Sequence, residues 1–222
     1  YYRRALHLNR AAMMLISQRR PIPRDAAELR RLPGVGDYTA AAIASIAYNE
    51  PVAAVDGNVA RVLSRALGVA DDVKTPGGRR RIAELADSLL SRRRPGDFNQ
   101  ALMDLGSAIC TPRKPDCRRC PINRNCSAFT SGKEAQLPIA GAKRVPVKVK
   151  LVAALFVRDD RVLMRRRDTG GLWSGLWEPP CITLRRGQGA KSGLEQLADG
   201  EGIRLDGDPR RLGLVRHQLT HR

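Results

Sequence analysis

The 222-residue sequence contains no long apolar run, few acidic side chains and no recognisable secretory signal. A membrane-spanning helix needs about 18 or more consecutive apolar residues, so no segment predicts a membrane span. The chain opens without Met and ends without a closing turn, which suggests that both ends are cut and gives the missing signal little weight. A hydrophobic content of 42% still suffices for globular folding.

Acidic residues are scarce relative to basic ones. The chain has 40 Lys and Arg residues against 22 Asp and Glu residues, a net charge of +18. A surplus of this size favours a polyanionic partner, above all nucleic acid. Residues 1–150 hold 27 basic and 13 acidic residues, whereas residues 151–222 hold 13 and 9. We therefore expect the first part of the chain to bind the polyanion.

The length predicts two domains. Residues 1–130 form the expected helical domain, residues 131–147 a Gly- and Pro-punctuated linker, and residues 148–222 an incomplete α+β domain. Apolar periodicity and turn signals predict helices at residues 3–19, 25–31, 37–48, 55–68, 79–93 and 97–110.

The second domain is expected to be partly extended. Residues 150–167 predict two strands around a turn at Asp159 and Asp160, and residues 192–199 predict a short helix. The segments LWSGLWEPPCITL and LGLVRHQLTHR also have an extended pattern.

The stretch LPGVGDYTA, residues 32–40, places Gly34 and Gly36 in a short turn before a helix. Glycine is favoured where the backbone adopts a positive φ or closely approaches something else. The following helix N-terminus carries unpaired N–H groups and a partial positive charge, so the turn suits a phosphate. An ordinary corner between two helices has the same pattern, and the stretch alone leaves both interpretations open.

Four of the five cysteines lie within 17 residues, in the pattern C-x6-C-x2-C-x5-C. They are Cys110, Cys117, Cys120 and Cys126. Four thiolates suit zinc or a [4Fe–4S] cluster, and without a secretory context disulfides are disfavoured. Zinc ribbons usually pair two C-x2-C knuckles, so the spacing favours the cluster. The loop also carries Arg113 and Lys114, while Cys181 stands alone and is interpreted as a small buried residue.

Asp56 lies between an apolar run and a helix start, where a helix N-cap is expected. Taken alone, this position favours a capping role over a catalytic one.

Together these motifs resemble the helix-hairpin-helix DNA glycosylases. LPGVGDYTAAAIAS is similar to their hairpin, and VDGNVARV is similar to the aspartate-bearing segment that follows it. The four-Cys spacing resembles the iron–sulfur site of the endonuclease III and adenine glycosylase branch. FNQALMDLGSAIC and YYRRALHLNRAA resemble segments of the adenine glycosylases. The sequence is identified as a member of the adenine DNA glycosylase family, which removes adenine mispaired with 8-oxoguanine.

The resemblance implies a mainly α helix-hairpin-helix glycosylase domain with a [4Fe–4S] cluster loop. Asp56 would stabilise the positive sugar, with Asn58 orienting it or the nucleotide. Tyr38 stands where endonuclease III has the lysine that forms a Schiff base, so a monofunctional enzyme is expected. The residues expected to contact DNA are Leu32, Gly34, Val35, Gly36, Arg113 and Lys114.

The implied partner is double-stranded DNA with adenine opposite 8-oxoguanine or guanine, bound by a monomer in the bacterial cytoplasm. The family's general-acid Glu lies on an earlier helix that has no match here. We therefore expect this chain by itself to bind DNA without efficient base excision, because general acid catalysis contributes about 10²–10⁴-fold.

RRRDTGGLWSGLWEPP resembles the family's Nudix-like C-terminal domain, but the acidic Nudix box is missing, which disfavours pyrophosphate hydrolysis. Trp173 and Trp177 are interpreted as core residues. RHQLTH resembles the loop that reads 8-oxoguanine, with Leu219, Thr220 and His221 at the matching positions. The other two histidines, His7 and His217, are interpreted as surface or packing residues.

Two other functions stay open at this point. A bifunctional endonuclease III-type lyase is disfavoured by Tyr38 and by the second domain. A non-catalytic iron–sulfur DNA-binding module is disfavoured by Asp56 beside Asn58, because DNA binding alone does not favour a carboxylate near the phosphate backbone.

Overall fold

The computed structural model describes residues 2–139, 141, 147–168 and 170–217. The chain divides into two compact units, Tyr1–Ala142 and Lys143–Arg222. The division falls inside residues 131–147, the range that the sequence predicts as a linker. Among the described residues, no helix has both the length and the apolar character needed to cross a membrane.

The first unit is built from helices. They are α1 (Tyr2–Ser17), α2 (Ala26–Leu29), α3 (Asp37–Tyr48), α4 (Gly57–Leu67), α5 (Pro76–Leu89), α6 (Pro95–Asp104) and α7 (Ser127–Ser131). A π-helical turn, Leu105–Ile109, continues α6, and two 3₁₀ turns, Cys117–Arg119 and Asn123–Asn125, precede α7. The six predicted helices are thus present, but residues 105–110 were wrongly expected to continue as α-helix.

Side-chain caps explain where the helices begin. Asp25, Asp56 and Thr75 each accept a hydrogen bond from the backbone N–H three residues further on. The cap at Thr75 starts α5 three residues earlier than predicted. At the other end of α4, Gly68 is the C-cap in a left-handed conformation with φ 68°, at the predicted end of this helix.

Two apolar clusters form the core of the first unit. One joins α1, α2 and α3 through Ala11, Leu29, Leu32, Ala40 and Ala44. The other joins α4 and α5 through Val59, Leu63, Val69, Ile82 and Ala86. Because the buried side chains of α3 are small, α6 packs closely against this helix: a Cβ atom built at Gly96 would lie 2.7 Å from the carbonyl oxygen of Ser45.

The second unit contains short antiparallel strands and one helix. Strand β1 (Leu151–Ala153) pairs with β6 (Cys181–Thr183), β2 (Val157–Arg158) with β3 (Arg161–Val162), and β4 (Arg165–Arg166) with β5 (Trp177–Glu178). Helix α8 (Ala190–Gly200) contacts β1 and β6 and confirms the predicted short helix. Asp159 and Asp160 have positive φ angles of 46° and 60°, so the predicted turn is also confirmed.

Other expectations for the second unit are wrong. Residues 150–167 form four short strands, β1 to β4, instead of the two predicted, and residues 212–217 are neither helix nor strand. Trp177 is 65% exposed and is not a core residue, although Trp173 is half-buried. Cys181 is also half-buried, and its burial raises the pKa of the thiol.

Candidate functional site

The glycine turn between α2 and α3 is exposed and leads directly into the N-terminus of α3. Gly34 has φ +79°, and a Cβ atom built there would lie 2.4 Å from the Cβ atom of His7 on α1. Backbone conformation and packing therefore both require glycine at this position. At Gly36 neither reason holds within the chain, because φ is −91° and the space for a Cβ atom is open.

The apolar residues of the turn anchor it to the core. Leu32 is only 9% exposed and belongs to the α1–α3 cluster, against which the half-buried Val35 also packs. Gly34 and Gly36 are exposed. Of the four hairpin residues predicted to contact DNA, the two glycines present an accessible surface, while Leu32 and Val35 hold the turn in place.

Helix α3 begins without a capping side chain. Its N-cap is Gly36, and no side chain of this residue can accept a hydrogen bond from the first turn. Unpaired N–H groups and the partial positive charge of a helix N-terminus suit a phosphate oxygen. The acidic residue of this turn, Asp37, points into solvent and pairs with Arg30 at 2.7 Å.

Tyr38 lies in the first turn of α3 and faces α6. The residue is 39% exposed, and its hydroxyl group donates to Sδ of Met103 at 3.5 Å. A phenol can donate or accept a hydrogen bond but cannot form an imine with a sugar aldehyde.

Asp56 is the N-cap of α4, as predicted. Its Oδ1 atom accepts a hydrogen bond from the backbone N–H of Val59 at 2.7 Å, and Oδ2 accepts from Nδ2 of Asn58 at 3.1 Å. Both carboxylate oxygens are thus held while the positive end of the α4 dipole faces them. The predicted partner Asn58 does contact Asp56.

Arg61 extends this arrangement into the protein, a contact that sequence reasoning missed. Its Nη2 atom donates to Oδ1 of Asn58 at 2.9 Å and to the carbonyl of Gly106 at 2.6 Å, and Nε donates to the carbonyl of Cys110 at 2.8 Å. Burial lowers the pKa of the Arg61 guanidinium, and the nearby Cys110 and Asp56 oppose this shift. The candidate catalytic carboxylate is therefore linked through two side chains to a cysteine of the cluster loop.

A second buried arginine, Arg65, lies one turn along α4. It is 3% exposed, and its guanidinium donates to the carbonyls of Thr111, Pro112 and Leu137 at 2.8, 3.1 and 2.8 Å. Nη1 also lies 3.4 Å from Sγ of Cys110. The sequence did carry one signal that these arginines are buried. Arg61 and Arg65 flank the apolar residues Val62 and Leu63 on α4, and these are buried.

The four predicted metal-ligating cysteines line one small cavity. Its walls include Cys110, Cys117, Cys120 and Cys126, all of them free thiols. Burial, followed by the neighbouring Glu134, raises the pKa of Cys117, and burial also raises the pKa of Cys120. Among the described residues, no three His, Cys, Asp or Glu side chains form a group that would hold a metal ion.

The residue types that line this cavity are those of a thiolate-ligated centre, although the four cysteines are not gathered into one ligand group. Arg65 brings a buried positive charge within hydrogen-bond distance of one of the four sulfurs. A buried guanidinium is stabilised by a nearby anion, and thiolates bound to iron supply such an anion.

The cluster loop exposes basic side chains. Arg113 and Lys114 are exposed, and in the described part of the chain neither forms an ion pair. The hydroxyl group of Thr111 donates to the carbonyl of Lys114 at 2.6 Å, which closes the loop. The predicted lesion-reading residues Leu219, Thr220 and His221 lie outside the described residues, so that assignment stays a prediction.

No protein-family model matches the chain. The chain is 36% identical over 207 residues to the adenine DNA glycosylase of Mycolicibacterium smegmatis, which covers 90% of this chain and 68% of that protein. This chain belongs to the adenine DNA glycosylase family. The resemblance found from the sequence motifs is therefore confirmed.

Two further family members differ more in length. The adenine DNA glycosylase of Arabidopsis thaliana is 38% identical over 198 residues, which covers 83% of this chain and 31% of that protein. The human adenine DNA glycosylase is 31% identical over 270 aligned positions, which cover all of this chain and 50% of that protein. The chain thus spans about a third to a half of these curated relatives.

Solved structures support the helical fold. A thermostable thymine-DNA glycosylase has a TM-score of 0.52 and 35% identity, covering 58% of this chain and 59% of that one. A non-covalent endonuclease III–DNA complex has a TM-score of 0.50 and 26% identity, covering 59% of each chain. The predicted helix-hairpin-helix glycosylase fold is confirmed for the helical part.

Proposed function

We propose that the whole protein is a monofunctional DNA glycosylase that hydrolyses the N-glycosidic bond of adenine paired with 8-oxoguanine or guanine. The observation that carries this proposal is the Asp56 carboxylate, fixed at the N-terminus of α4 by Val59 and Asn58. Family membership supports the adenine substrate, because the curated relatives are named adenine DNA glycosylase.

Breaking the bond between C1′ and adenine develops positive charge on the sugar. A carboxylate whose two oxygens are already held does not need to reorganise as this charge forms, so it stabilises the transition state. Asn58 and Arg61 keep the carboxylate in place. With a phenol at Tyr38 instead of an amine, water is the final nucleophile and the DNA strand stays intact.

The hairpin and the cluster loop form the proposed DNA-binding surface. Exposed backbone N–H groups at Gly36 and the start of α3 would bind one phosphate, while Arg113 and Lys114 would approach others. The net charge of +18 supports this partner. We expect the enzyme to act as a monomer on one mispaired site in duplex DNA.

A [4Fe–4S] cluster would be held by Cys110, Cys117, Cys120 and Cys126. When bound, the cluster supplies rigid covalent links among these four cysteines. The residues of the chain then fix the DNA-facing loop, since Arg65 binds the carbonyls of Thr111 and Pro112. These hydrogen bonds of Arg65 to the loop support a structural role for the cluster.

Residues 148–222 would form a Nudix-like domain that reads the base opposite adenine. The sequence similarity of RRRDTGGLWSGLWEPP supports this assignment, as do the antiparallel strands and α8 of the second unit. Leu219, Thr220 and His221 would contact the 8-oxoguanine.

The proposed function is tested with the whole protein and a duplex containing one adenine:8-oxoguanine pair. Under single-turnover conditions, adenine should be released, and the strand should break only after alkali treatment. Borohydride should trap no covalent complex, whereas endonuclease III serves as the positive control for trapping. Failure to release adenine contradicts the glycosylase proposal, and a trapped complex contradicts the monofunctional one.

A further inference from the structure

The connection between α3 and α4 raises a positioning problem. Residues 49–55 form neither helix nor strand, yet they lead from the helix that carries the hairpin and Tyr38 to Asp56. The distance between the DNA-binding turn and the candidate catalytic carboxylate therefore depends on contacts made to this connection from outside it.

Two contacts, one half-buried and one exposed, hold the first half of the connection. Glu50 accepts a hydrogen bond from the backbone N–H of Ala26 at 2.7 Å, and Arg92 donates to the carbonyl of Pro51 at 3.1 Å. The second half, which leads directly into Asp56, is held from α6 by a buried side chain, Asn99.

Asn99 is 1% exposed and bridges three parts of the fold. Its Oδ1 atom accepts a hydrogen bond from the backbone N–H of Ala54 at 3.1 Å. Its Nδ2 atom donates to the carbonyl of Val52 at 3.0 Å and to Oγ of Ser45 on α3 at 2.9 Å. Both amide protons and the amide oxygen are thus used, and they tie α6 to α3 and to two points of the connection.

Only an amide meets these requirements. Aspartate has nearly the same shape but cannot donate to Val52 and Ser45 at once, and it would place a charge in a buried site. Alanine would leave the N–H of Ala54, itself 1% exposed, without its acceptor. Close packing of α6 on α3 at Gly96 fixes the helix that presents Asn99.

We propose that Asn99 is a positioning residue that sets the placement of Asp56 relative to the hairpin helix α3. Asn58 and Arg61 hold the carboxylate itself, whereas Asn99 holds the backbone that delivers it, two residues earlier at Ala54. This inference rests on the proposed catalytic role of Asp56.

The test compares Asn99→Asp and Ser45→Ala with two controls in the whole protein. Gln100→Ala is the local control, because Gln100 is the next residue on α6, is exposed and bonds to its own helix through Gly96. Ile82→Ala is the stability control, since Ile82 is buried on α5 and contacts the α4–α5 core.

Asn99→Asp should lower the single-turnover excision rate about 30-fold, because a displacement near 1 Å at a reacting group costs up to about 10²-fold. Its dissociation constant for the mispaired duplex should stay within about 3-fold of the unsubstituted protein, since the hairpin is anchored separately to α1. Ser45→Ala removes one of the three contacts and should slow excision about 3-fold. Both controls should keep their excision rates.

Amide hydrogen exchange provides a readout that does not depend on catalysis. In Asn99→Ala, exchange at the Ala54 amide should accelerate about 100-fold or more, while exchange at Val59, which bonds to Asp56, changes much less. Unchanged exchange at Ala54 would overturn the inference.

The inference and the proposed function can fail separately. If the unsubstituted protein releases no adenine, the proposed function is wrong. If it releases adenine but Asn99→Asp and Ser45→Ala excise at the unsubstituted rate, or slow only as much as Ile82→Ala, Asn99 is not a positioning residue.

Discussion

Helices α3 and α4 begin in opposite ways, although both N-termini carry the same partial positive charge. The N-cap of α3 is Gly36, which has no side chain to accept a hydrogen bond from the first turn. The N-cap of α4 is Asp56, whose carboxylate accepts hydrogen bonds from Val59 and Asn58. One N-terminus is open to an anion from outside, and the other is filled by an anion of the protein itself. The N-cap residue therefore decides whether a helix N-terminus presents its own partial positive charge or the negative charge of a carboxylate.

The two N-termini are also held by different kinds of contact. Apolar packing of Leu32 and the tight contact between Gly34 and His7 fix the hairpin before α3. Half-buried polar contacts fix Asp56 before α4: Asn58 donates to Asp56, and Arg61 donates to Asn58. The hairpin is thus anchored mainly by apolar packing, whereas the N-terminus of α4 is anchored by hydrogen bonds to individual carboxylate oxygens.

The largest expected effect on stability separates the two hairpin glycines. Gly34→Ala should lower the free energy of unfolding by about 3 kcal/mol, because a left-handed conformation costs about 1–2 kcal/mol and the new methyl group meets His7. Gly36→Ala should change it by less than about 1 kcal/mol, since φ is negative and the space is open. Urea denaturation measures both, and equal losses would contradict the described turn.

Breaking the polar support of α4 should come next. Arg61→Met leaves the carbonyls of Gly106 and Cys110 without a donor and frees Asn58. We expect a loss of about 2 kcal/mol of stability and a roughly 30-fold slower excision rate. The control is Arg80→Met on the exposed surface of α5, which should change neither quantity. Normal excision by Arg61→Met would show that Asn58 holds Asp56 unaided.

Giving α3 the kind of cap that α4 has should weaken DNA binding. Gly36→Asp places a carboxylate on the N–H groups proposed for phosphate, so the dissociation constant should rise about 10-fold at low salt. Gly36→Asn is the matched control, because asparagine also caps a helix but adds no charge, and it should have a smaller effect. The excision rate at saturating protein should be unchanged in both variants. Equal binding by the aspartate and asparagine variants would argue against a phosphate at this position.

The smallest expected effect concerns the cluster loop. Replacing Arg113 or Lys114 with Ala should reduce the slope of log K against log salt concentration by about 1 for each phosphate that the side chain neutralises. Arg119→Ala is the control, since Arg119 pairs with Asp116 at 3.6 Å. Salt titration of duplex binding measures the slopes, and three identical slopes would remove the loop from the DNA interface.

Local sequence predicted the two N-termini well. Gly34 required glycine, Asp56 capped a helix with Asn58 beside it, and Gly68 ended that helix, because each depends on residues only a few positions apart. The four cysteines were also recognisable from spacing alone, and they line one cavity.

The long-range polar contacts were not predictable in this way. The spacing of Arg61 and Arg65 on α4 indicates burial but not the partners, because the carbonyls that they bind outside α4 lie 45 to 72 residues further along the chain. Asn99 reaches back 45 to 54 residues for the same reason. In the second unit, Trp177 was expected in the core, but it is 65% exposed.

The two N-termini are assigned different roles, DNA binding for α3 and catalysis for α4. The most direct test of this difference is Asp56→Asn in the whole protein. Asparagine preserves the cap but removes the negative charge, so the fold and duplex binding should be retained. Excision of adenine should slow at least about 10²-fold, equivalent to about 3 kcal/mol of transition-state stabilisation. Asp25→Asn, a second N-cap aspartate that accepts from Glu28 on α2, is the control and should excise normally. Near-normal excision by Asp56→Asn, or an equal loss in Asp25→Asn, would contradict the assignment of the α4 N-terminus as the catalytic one.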